Sequence, residues 1–238
     1  MTMADLKIKL FADGADMAGI LEMYANPKIQ GFTTNPTLMK KAGITDYEGF
    51  ARELLAKIPD RPVSLEVFAD ELPEMERQAR KIAAWGANVN VKIPVTTTAG
   101  KSTAPVIQRL SAEGVVLNVT ALMTIEQVRI VGDVLSEETE AIVSVFAGRV
   151  ADTGIDPVPH MTEALRILES KPKAELLWAS PRELLNVFQA NCIGCHIITA
   201  TNDILKKLAL VGKDLDQYSR ETVQMFRTDA VAAGYTIA

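Results

Sequence analysis

Eight short runs rich in Val, Ile and Phe recur along this chain at intervals of roughly 20 to 35 residues, each followed by a stretch in which Leu, Ile, Ala and Met repeat with helical spacing. This alternation of strand and helix limits the fold more than any other feature of the chain. The predicted strands are Ile8–Asp13, Gly31–Asn35, Val63–Phe68, Val89–Val95, Val115–Thr120, Ile142–Phe146, Leu176–Ser180 and His196–Ala200. Between them the spacing predicts helices over Leu72–Trp85, with its Met75, Ala79 and Ile82 stripe, and over Pro105–Ala112, Ile125–Leu135, Met161–Glu169 and Arg182–Ala190. Eight βα units in 238 residues match the α/β class as a single (β/α)8 TIM barrel, typically ~250 residues long. An open doubly wound sheet fits less well, because it usually has fewer strands and a Gly-rich first turn that is missing here. The expected organisation is one domain over residues 1–238, with the barrel ending at about residue 211 and a C-terminal helical arm from about 213 to 238. In that arm Leu215–Ala233 places Leu215, Tyr218, Met225 and Phe226 near helical spacing.

Composition excludes several classes. No Ser/Pro/Gly-rich stretch or run of like charge marks a linker or disordered tail. A formal charge of -5 disfavours nucleic acid or an anionic membrane as a whole-surface partner, while leaving room for local basic pockets. The segment MTMADLKIKLFADGAD lacks the pattern of a secretory signal, and no apolar run approaches the ~18 residues needed to span a bilayer. A soluble, cytoplasmic protein is expected by default. The pair Cys192 and Cys195, followed by His196, has the C-x-x-C-H spacing of c-type haem attachment. Without an export signal that reading is set aside. A redox dithiol is also disfavoured, since the pair enters an apolar strand and does not cap a helix N-terminus, so two small buried residues at a strand start are expected.

In a barrel of this type the reacting groups sit at the C-terminal ends of the strands, so polar residues that interrupt the apolar runs there are the candidates. Asp13 closes the first strand, Thr33, Thr34 and Asn35 close the second, and Glu66 interrupts the third. Lys92 lies inside the apolar fourth strand. Asn118 and Thr120 share one face of the fifth strand, and Ser144 and Phe146 one face of the sixth, because side chains alternate with period two. A lysine in an apolar strand is costly to keep charged, and desolvation favours the neutral amine that can attack a carbonyl. Asp13 and Glu66 can then serve as a proton-transfer pair. The alternative is a buried ion pair that only holds the barrel together. From the residues alone the chain is a barrel enzyme with a nucleophilic lysine.

Four segments carry a further inference: Gly31-Phe32-Thr33-Thr34-Asn35-Pro36, Val91-Lys92-Ile93-Pro94, Ser144-Val145-Phe146-Ala147-Gly148-Arg149 and Ala179-Ser180-Pro181-Arg182. In this order, and across nearly the whole chain, they resemble the transaldolase family. The third departs from the family's S-P-F-V-G-R at Val145 and Ala147, and the fourth from its A-S-F-R at Pro181. The resemblance implies that Lys92 forms a Schiff base with the C2 carbonyl of a ketose and that Asp13 exchanges a proton with the C4 hydroxyl as the C3–C4 bond breaks. It also implies that Glu66 acts through a water held by Thr120, and that Thr33, Asn35, Asn118, Ser144 and Phe146 form the pocket for the dihydroxyacetone unit. Fructose 6-phosphate aldolases share the barrel but carry glutamine and tyrosine where this chain has Glu66 and Phe146, so transfer is expected over release.

Arg149 and Arg182, at the ends of the sixth and seventh strands, suit a terminal oxyanion, and Ser180 adds a hydroxyl. Solvated surface arginines are the alternative. Trp178 stands where ordinary transaldolases have a small residue, and it either reaches that anion or packs between barrel and helix. The set Arg149, Trp178 and Arg182 resembles the sulfofructose transaldolases, which implies 6-deoxy-6-sulfofructose as donor and sulfolactaldehyde as product, with glyceraldehyde 3-phosphate or erythrose 4-phosphate as acceptor. An ordinary phosphosugar transaldolase is the alternative, and a non-catalytic sugar-phosphate-binding barrel a more distant one. The resemblance implies a homo-oligomer, pentameric or decameric, with the C-terminal helix crossing a subunit boundary. No cofactor is expected, and no metal, since His160 and His196 have no partners at ligand spacing.

Overall fold

The computed structural model describes residues 2 and 5–237, so residues 1, 3, 4 and 238 of the expected single-domain span lie outside the described residues. Eight parallel strands close into a barrel in chain order: β1 (Lys9–Asp13), β2 (Ile29–Thr33), β3 (Val63–Glu66), β4 (Val89–Pro94), β5 (Leu117–Leu122), β6 (Ala141–Val145), β7 (Ala174–Trp178) and β8 (Ile197–Thr201). Strand β8 pairs with β1, from Lys9 opposite Ile197 to Asp13 opposite Thr201, and this closes the ring. The fold is a (β/α)8 TIM barrel with an additional C-terminal helix.

Each crossover returns through helix: α1 (Met17–Tyr24), α2 (Pro36–Lys41) and α3 (Tyr47–Lys57), α4 (Leu72–Ala83), α5 (Ala104–Ala112), α6 (Ile125–Val134), α7 (Ala147–Asp152) and α8 (Pro157–Leu168), α9 (Leu185–Cys192), and α10 (Asn202–Lys206). Local chemistry sets where several begin. The side chains of Asp16, Asn35, Asp46 and Asp156 cap α1, α2, α3 and α8 by accepting backbone N–H bonds, and Thr124 and Gln127 form a reciprocal capping box at α6. Pro36 at the first position of α2 fits because that N–H has no helical partner.

Strand parity divides the core in two. Leu65, Val91, Ile93, Val119, Val143, Leu176 and Trp178 point outward into the layer shared with the helices, where all are fully buried. Phe11, Ile142, Leu177, Ala179 and Ile197 point inward and fill the barrel's interior. Gly31 is required by this inner layer, because a Cβ there would lie 2.5 Å from the ring of Phe11. With side chains filling its middle, the barrel has open space at its two ends.

The observed strands differ from the predicted ones mainly at their ends. Thr34 and Asn35 lie beyond β2, and Asn35 caps the helix that follows, because the chain turns there to start α2. Strand β5 runs on to Leu122 through a register shift, with Ala121 in the left-handed region at φ 64°. Helix α9 starts at Leu185 and not at Arg182; the Arg182 backbone N–H is held instead by the Asn186 side chain, at 2.7 Å. The two cysteines also part company. Cys195 is buried before β8 as expected, whereas Cys192 is exposed on the last residue of α9, because that helix extends through it. Helix α11 (Leu215–Ala232) extends past the barrel with no buried side chain, and Leu215, Val223, Met225, Phe226 and Val231 are all exposed. No helix among the described residues is long and apolar enough to cross a membrane.

Candidate active site

At the C-terminal end of the barrel a cavity of about 580 Å³ opens to solvent. Its floor is built by the strand parity that points even-numbered residues of β3 to β6 inward. Of these, Glu66, Lys92, Asn118, Thr120 and Ser144 reach the cavity, while Asn90 and Ile142, earlier on their strands, line the opposite end of the barrel. The register sets Glu66 opposite Lys92 across β3 and β4, and Lys92 opposite Asn118 across β4 and β5. These neighbours follow from the pairing itself.

Lys92 is the centre of the floor. Its Nζ lies 3.0 Å from a carboxylate oxygen of Glu66 and donates to the Thr34 carbonyl at 2.8 Å, with only 7% of the side chain exposed. A charged pair buried to this degree carries a desolvation cost that the Coulombic gain only partly offsets, so it is weak evidence for stability. Glu66 is fixed from behind by Tyr47, whose hydroxyl donates to the Glu66 backbone carbonyl at 2.8 Å. Burial pushes the Tyr47 hydroxyl well above its ordinary pKa and keeps it a donor. Asp13 accepts a bond from Thr33 Oγ1 at 2.7 Å, and Thr33 in turn is 2.6 Å from Thr199. Burial raises the Asp13 carboxyl above the usual carboxylate range, against the opposing pull of the Lys92 charge and the Thr33 bond.

Facing these groups is a fixed polar chain. Ser144 Oγ donates to Asn118 Oδ1 at 2.7 Å, and Asn118 Nδ2 donates to Ser64 Oγ at 3.0 Å. Thr120 Oγ1 is buried in the cavity wall and has no hydrogen-bond partner among the described residues. Asn35 also lines the cavity, with its Oδ1 occupied by the Leu38 N–H as the cap of α2. Phe146 follows β6 and stacks under the Arg149 guanidinium, 5.7 Å from the ring centroid.

On the β6–β7 side two guanidiniums reach the cavity. Arg149 rises from α7, and Arg182 from the loop after β7. Gly148 brings these elements together, since a Cβ on it would fall 1.6 Å from the Ser180 carbonyl oxygen. Ser180 itself adopts φ 61°, a left-handed turn that swings the chain out of β7 so that Ser180 and Arg182 both line the cavity. Arg182 Nη1 donates to Ser180 Oγ at 3.1 Å.

All but two of the candidate residues therefore meet in one cavity. Thr34 lies outside its lining, fully buried, with its carbonyl accepting from Lys92. Trp178 does not line it either. It is fully buried in the layer between barrel and helices, its indole N–H has no acceptor among the described residues, and it lines no part of the mouth. The reason is parity: Glu175 and Leu177 on β7, and Ala179 just after it, point inward, so Trp178 must point outward. Of the two roles weighed for it, packing is the one the structure has. Conversely, Thr199, Lys41 and Tyr47 escaped notice. Thr199 had a signal, being a polar residue in the apolar β8 run with the same parity as Ile197. Lys41 and Tyr47 come from crossover helices and carry none.

The site thus defines a class of parallel barrel with a buried lysine–carboxylate pair at its C-terminal mouth, flanked by a second carboxylate and an arginine pair. The family follows from comparison. The model of the transaldolase/fructose-6-phosphate aldolase family matches residues 10–237. A probable transaldolase of Dehalococcoides mccartyi is 33% identical over 202 residues, covering 84% of this chain and 90% of the relative. Probable transaldolase 2 of Listeria monocytogenes is 33% identical over 202 residues, 84% of this chain and 88% of its own. The chain belongs to the transaldolase/fructose-6-phosphate aldolase family and is a transaldolase-type enzyme. Solved structures at low identity share the barrel alone. KGPDC from Streptococcus mutans has a TM-score of 0.56 at 11% identity over 84% of this chain and 90% of that one. A phosphonomutase described as putative, from Burkholderia cenocepacia J2315, has a TM-score of 0.53 at 13% identity over 86% of this chain and 92% of that one.

Proposed function

We propose that this enzyme moves a dihydroxyacetone unit from a ketose with an anionic C6 group to an aldose phosphate, through a Schiff base on Lys92. The observation that carries the proposal is the Lys92–Glu66 contact at 3.0 Å on the cavity floor. An ammonium cannot attack a carbonyl, and Glu66 is the base within reach to take its proton. Loss of water from the carbinolamine, assisted by Glu66 and a water held at Thr120, gives the imine. Asp13 then accepts the proton of the C4 hydroxyl, the C3–C4 bond breaks, the aldehyde leaves, and the electron pair is stored as an enamine. Addition of the enamine to an acceptor aldehyde forms a new C–C bond, and hydrolysis frees Lys92. Asn35, Asn118, Ser144 and Thr33 hold the hydroxyls of the three-carbon unit in near-attack geometry, with Phe146 as an apolar wall.

The anion at C6 is assigned to Arg149, Ser180 and Arg182. With Trp178 facing the helices, a phosphosugar donor such as fructose 6-phosphate is the first reading. 6-Deoxy-6-sulfofructose, giving sulfolactaldehyde, is the second, because Arg182 is already paired with Asp152 and so offers less positive charge to a doubly charged phosphate. Glyceraldehyde 3-phosphate and erythrose 4-phosphate are the proposed acceptors. The glutamate at 66 and the phenylalanine at 146 favour transfer over aldol cleavage. Incubating each donor with and without acceptor tests this: product formation that depends on acceptor supports transfer, and free dihydroxyacetone released at the same rate without acceptor would overturn it. We further propose that residues 1–238 act as one unit in a pentameric or decameric ring, with the exposed apolar face of α11 packed on a neighbouring copy; a monomer in light scattering would contradict it.

A further inference from the structure

We infer that Asp152 is the residue that sets the charge preference of the terminal-anion subsite; the inference rests on the proposed assignment of Arg149, Ser180 and Arg182 to the C6 anion. Asp152 is the last residue of α7, three positions after Arg149, so the two share one face of that helix. Its carboxylate accepts two bonds from Arg182, from Nε at 2.8 Å and from Nη2. Arg182 Nη1 bonds to Ser180, so the guanidinium is held by two residues before any ligand arrives. The Arg182 bonds, and then the charges of Arg182 and Arg149, keep the Asp152 carboxyl below its ordinary range and hence ionised.

Asp152 does not line the cavity, whereas both arginines do. It stands behind Arg182 as a positioning residue. The pairing occupies the Nε edge of the guanidinium and leaves the opposite edge, formed by the two terminal nitrogens, toward the cavity side where Ser180 sits. It also cancels one of the two cationic charges, so the subsite presents about one net positive charge. Lys41 is the other cation at the mouth outside the floor, and it rises beyond β2, four strands around the ring from β6. Lys92, Glu66 and Asp13 lie on the floor. A subsite with one net positive charge discriminates weakly in favour of a doubly charged phosphate over a singly charged terminal group of the same shape. Removing the carboxylate's charge shifts that balance toward the dianion.

The test uses the full chain and three ketoses of one skeleton at about pH 8: a 6-phosphate, dianionic there because its second pKa is about 6, a 6-sulfonate, which is monoanionic, and neutral fructose. For Asp152→Asn the ratio of kcat/KM for phosphate over sulfonate is expected to rise about fivefold, the order of one additional unit charge acting through a partly solvated site. The value for fructose is expected to stay within about twofold, and Asp152→Glu is expected to keep the wild-type ratio. An unchanged ratio in Asp152→Asn, with both anionic donors weakened alike, would reduce Asp152 to a prop for Arg182 and overturn the inference. Absence of any imine between the wild-type chain and a ketose would instead remove the functional reading, and the inference with it.

Discussion

The barrel holds a lysine–carboxylate pair at each end, and the two differ in everything except their chemistry. At the N-terminal end Lys9 and Glu175 meet at 2.8 Å with 45% and 34% of their side chains exposed, in a cavity of about 510 Å³ that also has Gln30, Asn90, Glu140 and Lys173 on its wall. At the C-terminal end Lys92 and Glu66 meet at 3.0 Å with 7% and 18% exposed. The first pair is solvated, and exposed pairs contribute little, about 0 to 1 kcal/mol. The second is desolvated and bounded by Asp13, Thr34 and Asn118, so its protons have few places to go. Burial, and not the identity of the residues, separates the surface contact from the pair proposed as the reactive centre.

The sharpest way to break the comparison is to remove each lysine in turn. Lys92→Met is expected to lower kcat/KM by at least about 10⁴-fold, since Lys92 is the amine held on the cavity floor against Glu66, whereas Lys41 stands at the mouth. Steady-state turnover of fructose 6-phosphate measures it. Asp13→Asn is expected to reduce turnover by about 10² to 10⁴-fold while stabilising the fold. The direction follows from linkage. Because burial raises the folded pKa of Asp13, the stability this group contributes is present below its unfolded value and is lost as pH rises through the folded value. Asp13→Asn should therefore gain most over the wild type at neutral pH and lose that gain on acidification, which urea melts across the pH range will show.

Trp178→Ala is expected to cost about 3 to 5 kcal/mol of stability through the cavity it leaves, with the KM for an anionic donor unchanged once the protein is folded. Trp178→Phe, a milder change, keeps the KM comparison interpretable. A KM that rises selectively for anionic donors would return Trp178 to the anion site. Smallest of all, Lys9→Met is expected to change stability by less than about 1 kcal/mol and activity by less than about twofold.

Sequence and structure agree most closely where period two governs. Glu66, Lys92, Asn118 and Ser144 were found because polar residues at fixed parity interrupt apolar strands, and register then makes them neighbours. The same rule, applied to Leu177-Trp178-Ala179, turns Trp178 outward; the motif likeness at that position hid what alternation already implied. Ser180 and Arg182 escape alternation, because a left-handed residue and a close glycine contact decide where they point, and neither is written in a pattern of residue types. Asp152 and Tyr47 contact the site from crossover helices, with partners 30 and 19 residues away in the chain, distances that the packing of neighbouring βα segments closes and no short-range residue pattern marks.

The central claim, that the buried lysine and not the exposed one forms the imine, is tested by borohydride reduction in the presence of a ketose, followed by peptide mapping. One reduced adduct on the peptide containing Lys92, absent from Lys92→Met and undiminished in Lys9→Met, is the expected result. An adduct confined to any other lysine, or none at all while transfer proceeds, would contradict it.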